Sequence, residues 1–137
     1  LQKKGFEVVV VGGKKESKIA SDIAGQTKCK NMAGFTSLEQ TASVLNNVQL
    51  LITGDSSVLH LAAIFGIPTL SLFGPSNPLK WAPRGKAHQY LYKQLDCAPC
   101  ARHGHIPPCP HGLRCLDSIT PKDVLDTAFK ILDKEGT

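Results

Sequence analysis

The chain has 137 residues, of which 42% are hydrophobic and 20% charged, an ordinary balance for one soluble globular domain large enough to bury a core. No apolar run approaches the roughly 20 residues that span a bilayer, and no signal-peptide core follows the start, so a cytoplasmic domain is expected. The net charge of +5 comes from scattered Lys and Arg that do not interleave with the few aromatics. Nucleic acid is therefore not an expected partner, whereas an anionic ligand or an anionic membrane surface suits the charge.

The opening residues, Leu1-Gln2-Lys3-Lys4-Gly5-Phe6, lack an initiator Met and read as the end of a helix turning into a strand. The chain is expected to be a fragment, or one domain of a longer protein. Glu7 to Val11 is a β-branched run expected to form a buried strand, ended by Gly12-Gly13. Lys15 to Gly25 carries Ile19, Ala20 and Ile23 at helical spacing, and Lys28 to Met32 suits a short strand. Thr36-x-x-Glu39 is a capping box, and Ser37-x-x-Gln40 repeats the pattern one residue later. The helix that follows is expected to reach about Asn46, with Leu38, Ala42 and Leu45 on its inner face.

Val48 to Thr53 reads as a strand, Ser56 to Phe65 as a helix and Thr69 to Phe73 as another strand. This alternation predicts a Rossmann-like α/β fold, a parallel sheet with helices on both faces. Residues 74–118 then hold most of the prolines, four of the five cysteines and all but one of the histidines. A long loop is expected there, Cys/His/Pro-rich over 96–118, with a strand near Gln89 to Gln94. Thr120-Pro121-Lys122-Asp123 caps a last helix over 121–134, whose apolar stripe is Val124, Ala128, Ile131 and Leu132.

Two polar turns stand out. Asp55-Ser56-Ser57 follows one apolar strand and opens a helix, and Gly74-Pro75-Ser76 follows the next strand. The ends of neighbouring strands are where open α/β sheets bind ligands, and a helix N-terminus suits a phosphate. The same residues also make an ordinary N-cap and an ordinary turn. His60 lies one helical turn beyond Ser56 on the same face, where it either serves as a core group or donates to a phosphate.

The cysteines form a second constellation. Cys97-x2-Cys100, Cys109 and Cys115 lie close in sequence, with His103, His105 and His111 among them. They are compatible with a structural zinc site, although the second spacing is wide for a knuckle, with reduced structural thiols, or with two disulfides in an oxidising compartment. Cys29 reads as a small buried hydrophobe.

Asp55-Ser56-Ser57, His60, Ala62-Ala63, Gly66-Ile67-Pro68 and Leu72-Phe73-Gly74-Pro75-Ser76 together resemble the signature of the ADP-heptose:lipopolysaccharide heptosyltransferase family, glycosyltransferase family 9. Ala33-Gly34-Phe35-Thr36-Ser37-Leu38 resembles a turn of that family before its nucleotide-side helix. The segments around Cys97, Cys109 and Cys115 resemble a cysteine-bearing tail of many members. The resemblance implies the C-terminal, donor-binding half of a GT-B enzyme, with the acceptor site and a catalytic carboxylate on an N-terminal domain not present in this sequence.

It further implies an ADP-sugar donor, a lipopolysaccharide or related glycan acceptor reached through that other domain, and transfer with inversion. Peripheral association with the inner face of the inner membrane would follow from a lipid-anchored acceptor. Ser56, Ser57, their helix N-terminus and His60 would hold the diphosphate, and Asp55 would orient the loop, the sugar or His60. Gly74, Pro75 and Ser76 would line the cleft, and Lys80 and Trp81 would lie in a loop beyond it. Gly12, Gly13 and Glu16 would approach the ribose, while Phe35, Thr36 and Leu38 would flank the base. The residues at these last two places also read as a helix-start Glu and a hydrophobic staple with its cap. No catalytic metal is required, and no D-x-D cluster is present to bind one. The alternatives are a UDP-sugar GT-B enzyme of epimerase type and a non-catalytic, zinc-stabilised interaction module.

Overall fold

The computed structural model describes Leu1–Glu135 as two compact units, one over residues 1–44 and one from residue 45 onward. In the first unit β1 (Val9–Val10) pairs in parallel with β2 (Lys30–Asn31), Val9 opposite Lys30. The expected strand from Glu7 to Val11 is thus reduced to two residues in a two-stranded sheet, and its valines are half-buried rather than buried. The hydrogen bonds nevertheless run on at alternate residues. Lys30, Met32 and Gly34 donate to the carbonyls of Val8, Val10 and Gly12 at 2.9, 2.8 and 2.9 Å.

A short 3-10 turn leads into α1 (Ser17–Gln26). Ala20 is buried, but Ile19 is 65% exposed and Ile23 is exposed as well, so only one of the three expected inner residues faces the core. The elements of this unit cover the Ala20 side of the helix alone. Helix α2 (Leu38–Leu45) starts from Ser37, whose Oγ accepts the Gln40 N–H while the Gln40 side chain accepts the Ser37 N–H. Of the two overlapping capping patterns, the structure uses the second. Thr36 instead donates to the Met32 carbonyl and pairs with Thr41 Oγ1 at 3.0 Å. Leu45 is buried and Ala42 half-buried, but Leu38, on the first helical residue, is 63% exposed.

The second unit carries a three-stranded parallel sheet of β3 (Leu51–Gly54), β4 (Thr69–Phe73) and β5 (His88–Tyr92), in that spatial order. The central strand is buried almost throughout, as the apolar run Thr69 to Phe73 requires. Helix α3 (Ser57–Ile64) crosses from β3 to β4. It buries Leu59 and Ala62, and Ala62 joins Leu45, Leu51 and Ile67 in a core cluster. The strand expected over Gln89 to Gln94 begins one residue earlier and ends at Tyr92. Thr69 Oγ1 lies 3.0 Å from His88 Nδ1, and Phe73 meets Tyr90 edge to face, fixing β5 against β4.

The region expected to be loop holds two single-turn helices. The first is α4 (Pro78–Trp81), with Pro78 at its start and Asn77 capping the Leu79 N–H at 2.9 Å. The second is α5 (Arg114–Asp117). Helix α6 (Pro121–Glu135) follows a reciprocal cap. Thr120 Oγ1 accepts the Asp123 N–H at 3.1 Å and Asp123 accepts the Thr120 N–H at 3.0 Å. Ala128 and Ile131 are buried, and Val124 and Leu132 half-buried, on the expected stripe. Among the described residues no helix is long and apolar enough to cross a membrane.

Candidate functional site

Because β3, β4 and β5 are parallel and in register, Gly54 opposite Leu72 and Phe73 opposite Tyr92, their carboxyl ends share one edge of the sheet. The segments leaving that edge are Asp55-Ser56-Ser57, Gly74-Pro75-Ser76 and the cysteine-bearing stretch after Tyr92. Two of these were expected to lie together; the sheet adds the third.

The first turn is built by Ser56. Its extended backbone precedes α3, and its Oγ accepts the Leu59 N–H at 3.4 Å and lies 3.1 Å from Thr53 Oγ1. Ser56 is therefore engaged in shaping the turn, and Ser57, exposed at the first helical position, is the hydroxyl presented outward. Asp55 Oδ1 stands 3.8 Å from His60 Nε2, across the first turn of the helix, with both side chains partly exposed. This is an ion-pair distance rather than a hydrogen bond, available when the imidazole is protonated. The turn thus presents the Ser57 hydroxyl, the His60 imidazole and the Asp55 carboxylate around the Ser56-capped start of α3.

The second turn is held from behind. Gly74 is buried and Ser76 is 9% exposed. The Pro75 carbonyl accepts two N–H groups, from Cys100 at 3.0 Å and Ala101 at 2.9 Å. Past it, Lys80 and Trp81 lie on α4 rather than in a loop, and the Lys80 ammonium sits 5.2 Å from the Trp81 ring centre.

In the first unit the remaining expected residues gather at the ends of β1 and β2. Glu16 Oε2 accepts the Gly13 N–H at 2.9 Å. The Gly12 carbonyl accepts the Gly34 N–H, which ties the Gly12-Gly13 turn to the Gly34-Phe35-Thr36 segment. Gly34 has φ +81, a left-handed backbone that suits glycine, and a side chain there would crowd Ser17. Phe35 is 76% exposed and Leu38 is exposed, an unusual display for two large apolar side chains.

Cys97, Cys100, Cys109 and Cys115 line one cavity of about 230 Å³ together with His111 and Pro107, Pro108 and Pro110. All are free thiols. Among the described residues no three His, Cys, Asp or Glu side chains are grouped so as to hold a metal ion. The segment is exposed from residue 102 to 114, and Cys115 is its buried cysteine. The Leu113 N–H donates to Cys109 Sγ at 3.3 Å, and Cys115 is buried. Burial pushes the Cys115 thiol pKa up, and the neighbouring Cys109 and Cys100 add to the shift. Tyr92, at the end of β5, has its hydroxyl buried without a hydrogen-bond partner, and burial raises its pKa too.

Sequence reasoning missed Thr53 and the docking of residues 100–101 and 115–116 on the second turn. A Thr three residues before an N-cap Ser was the one available signal. Nothing local announces contacts made from so far along the chain.

Residues 1–110 match the family model described as glycosyltransferase family 9 (heptosyltransferase). The chain is 29% identical over 138 residues to lipopolysaccharide heptosyltransferase 2 of Salmonella typhimurium, covering 96% of this chain and 39% of the relative. It is 32% identical over 137 residues to lipopolysaccharide heptosyltransferase 2 of Escherichia coli, covering 96% and 38%. The structure of E. coli ADP-heptose lps heptosyltransferase II superposes with a TM-score of 0.81 at 24% identity, over 99% of this chain and 39% of that one. The glycosyl transferase family 9 structure from Veillonella parvula gives 0.77 at 25% identity, over 96% and 38%. The chain spans about two fifths of the length of the curated relatives it matches.

Proposed function

Because the chain belongs to glycosyltransferase family 9, with the Rossmann-like architecture of its GT-B members, we propose that it is the donor-binding part of a heptosyltransferase. On this reading the donor is an ADP-sugar and the acceptor a lipopolysaccharide core. The observation that carries it is the pairing of the α3 N-terminus, with Ser57 and His60, beside the Gly74-Pro75-Ser76 turn on one sheet edge. The matches to proteins named heptosyltransferases favour it over a UDP-sugar epimerase or a cysteine-based interaction module.

The diphosphate would meet the N–H groups opening α3 and the Ser57 hydroxyl. There the helix dipole and backbone donors favour negative charge. As the bond from the anomeric carbon to the diphosphate oxygen breaks, charge grows on that oxygen. His60, which stands beside Asp55, would supply a ring N–H donor where the charge develops. An acceptor hydroxyl attacks the opposite face of the anomeric carbon, and its proton goes to a carboxylate of an acceptor domain, so configuration inverts. Gly12, Gly13, Glu16, Phe35, Thr36 and Leu38 would serve the nucleoside, the exposed Phe35 and Leu38 offering apolar surface to a base. An acceptor anchored in lipid would place the enzyme peripherally at the inner face of the inner membrane.

Calorimetric titration with ADP, UDP and GDP tests the reading. Saturable ADP binding, weaker by tenfold or more for UDP and GDP and lost in Ser57→Asp and His60→Ala, is the expected result; tenfold is about 1.4 kcal/mol. A preference for UDP would move the chain to another donor class. A folded chain that binds no nucleotide would refute the donor site.

A further inference from the structure

The cysteine-bearing segment grips the Gly74-Pro75-Ser76 turn at two points far apart in sequence. At the first, the Pro75 carbonyl accepts the Cys100 and Ala101 N–H groups, at 3.0 and 2.9 Å, which uses both of its lone pairs. At the second, Leu116 and Cys115 fill the space beside Gly74. A Cβ at that glycine would fall 2.6 Å from Leu116 Cγ, 2.9 Å from Leu116 Cδ2 and 3.1 Å from Cys115 Sγ. The turn needs such support. Gly74 is the least restrained residue of the turn, whereas the Pro75 ring fixes its own φ and leaves no N–H to donate, so the support falls beside the loosest point of the backbone. Cys115 is buried, and the four cysteines line one cavity in this segment.

We propose that Leu116 and Cys115 are positioning residues, and that residues 97–116 form a clamp holding Gly74-Pro75-Ser76 in the geometry that the ligand meets. The proposal rests on the donor-site reading of that turn. It assigns the cysteine-bearing segment a task beside the site and accounts for a glycine at 74 by packing, since the position has no left-handed backbone to explain it. A clamp acts by preorganisation. Loosening it lets the turn sample other shapes, and a ligand must then select the competent one at a loss in apparent affinity.

The test compares the wild-type protein with Leu116→Ala, Leu116→Met and Ile131→Ala. Ile131 is buried on α6 and serves as a control for general destabilisation. ADP affinity is measured by calorimetry well below each Tm, and amide hydrogen exchange is followed at Cys100 and Ala101. Leu116→Ala is expected to weaken ADP binding and to speed exchange at both amides, each by roughly tenfold. Leu116→Met, which keeps the volume, is expected to stay within about twofold of wild type. Ile131→Ala should lower Tm and leave ADP affinity unchanged.

Wild-type affinity in a folded Leu116→Ala protein would overturn the proposal, as would equal weakening in Ile131→Ala. Unchanged exchange at Cys100 and Ala101 in Leu116→Ala would overturn the clamp whether or not nucleotide binds. A wild-type protein that fails to bind ADP, yet shows the accelerated exchange in Leu116→Ala, would instead locate the failure in the donor-site reading and remove the positioning role with it.

Discussion

Leu116 occupies the space that a side chain on Gly74 would need, with its Cγ 2.6 Å from where that Cβ would stand. Gly74→Ala is therefore an overpacking change, expected to cost about 1–3 kcal/mol of stability. Because one side chain causes the clash, Gly74→Ala combined with Leu116→Ala should cost clearly less than the sum of the two single changes. Urea unfolding of the four proteins gives the coupling directly. Simple additivity would mean that the two positions do not compete for the same space.

Ser56 caps α3 through the Leu59 N–H and also meets Thr53. Ser56→Ala should cost about 1 kcal/mol, and Ser56→Gly only a few tenths. For a domain of this size that is roughly 2–5 °C in Tm for the alanine variant. A thermal melt reads it, and a Tm equal to wild type would remove Ser56 from its capping role.

Asp123 contributes a pH dependence. Its carboxylate accepts the Thr120 N–H at 3.0 Å and sits 3.1 Å from Lys93 Nζ, which ties the residue after β5 to α6. The Thr120 N–H first, then the Lys93 ammonium, hold its pKa below the ordinary range. A depressed folded value means that the contribution is fully present above the unfolded pKa of about 3.9 and is lost as the pH falls through the folded value beneath it. Glu39, lowered mainly by the Ser37 hydroxyl, acts in the same direction. Asp123→Asn should flatten, without abolishing, the loss of stability on acidification below about pH 5. Denaturation midpoints from pH 7 to pH 2.5 measure it, and an unchanged slope would contradict the assignment.

The thiols should separate by rate. Cys97 and Cys109 are exposed, whereas Cys115 is buried with its pKa raised. Ellman's reagent at pH 8 should label the exposed pair at least roughly tenfold faster than Cys115, because thiolate fraction and access fall together. Cys115→Ser should delete the slowest phase. A uniform rate for all thiols would show that Cys115 does not stay buried.

What the sequence determined by itself is local. The strand at Thr69–Phe73 and the helices from Ser57 and Pro121 follow from apolar periodicity and from caps within four residues of their starts, whereas the strand expected over Val48 to Thr53 is observed at Leu51–Gly54. The two polar turns at the strand ends are legible for the same reason, because a strand boundary and a helix cap are short-range events. Where two local solutions competed, as at Thr36 and Ser37, only the structure chose, since the Thr36 hydroxyl had partners at Met32 and Thr41.

The tertiary structure alone decided which apolar residues are covered. Ile19 and Leu38 fit their helical stripes and still face outward, because a stripe is buried only where another element meets it. It also decided that β5 pairs with β4 and so carries the cysteines to the edge where the turns lie. The packing of Leu116 into the space beside Gly74 joins residues far apart in the chain. Spacing and periodicity report neighbours within a turn or two, whereas that contact exists only once the sheet has assembled.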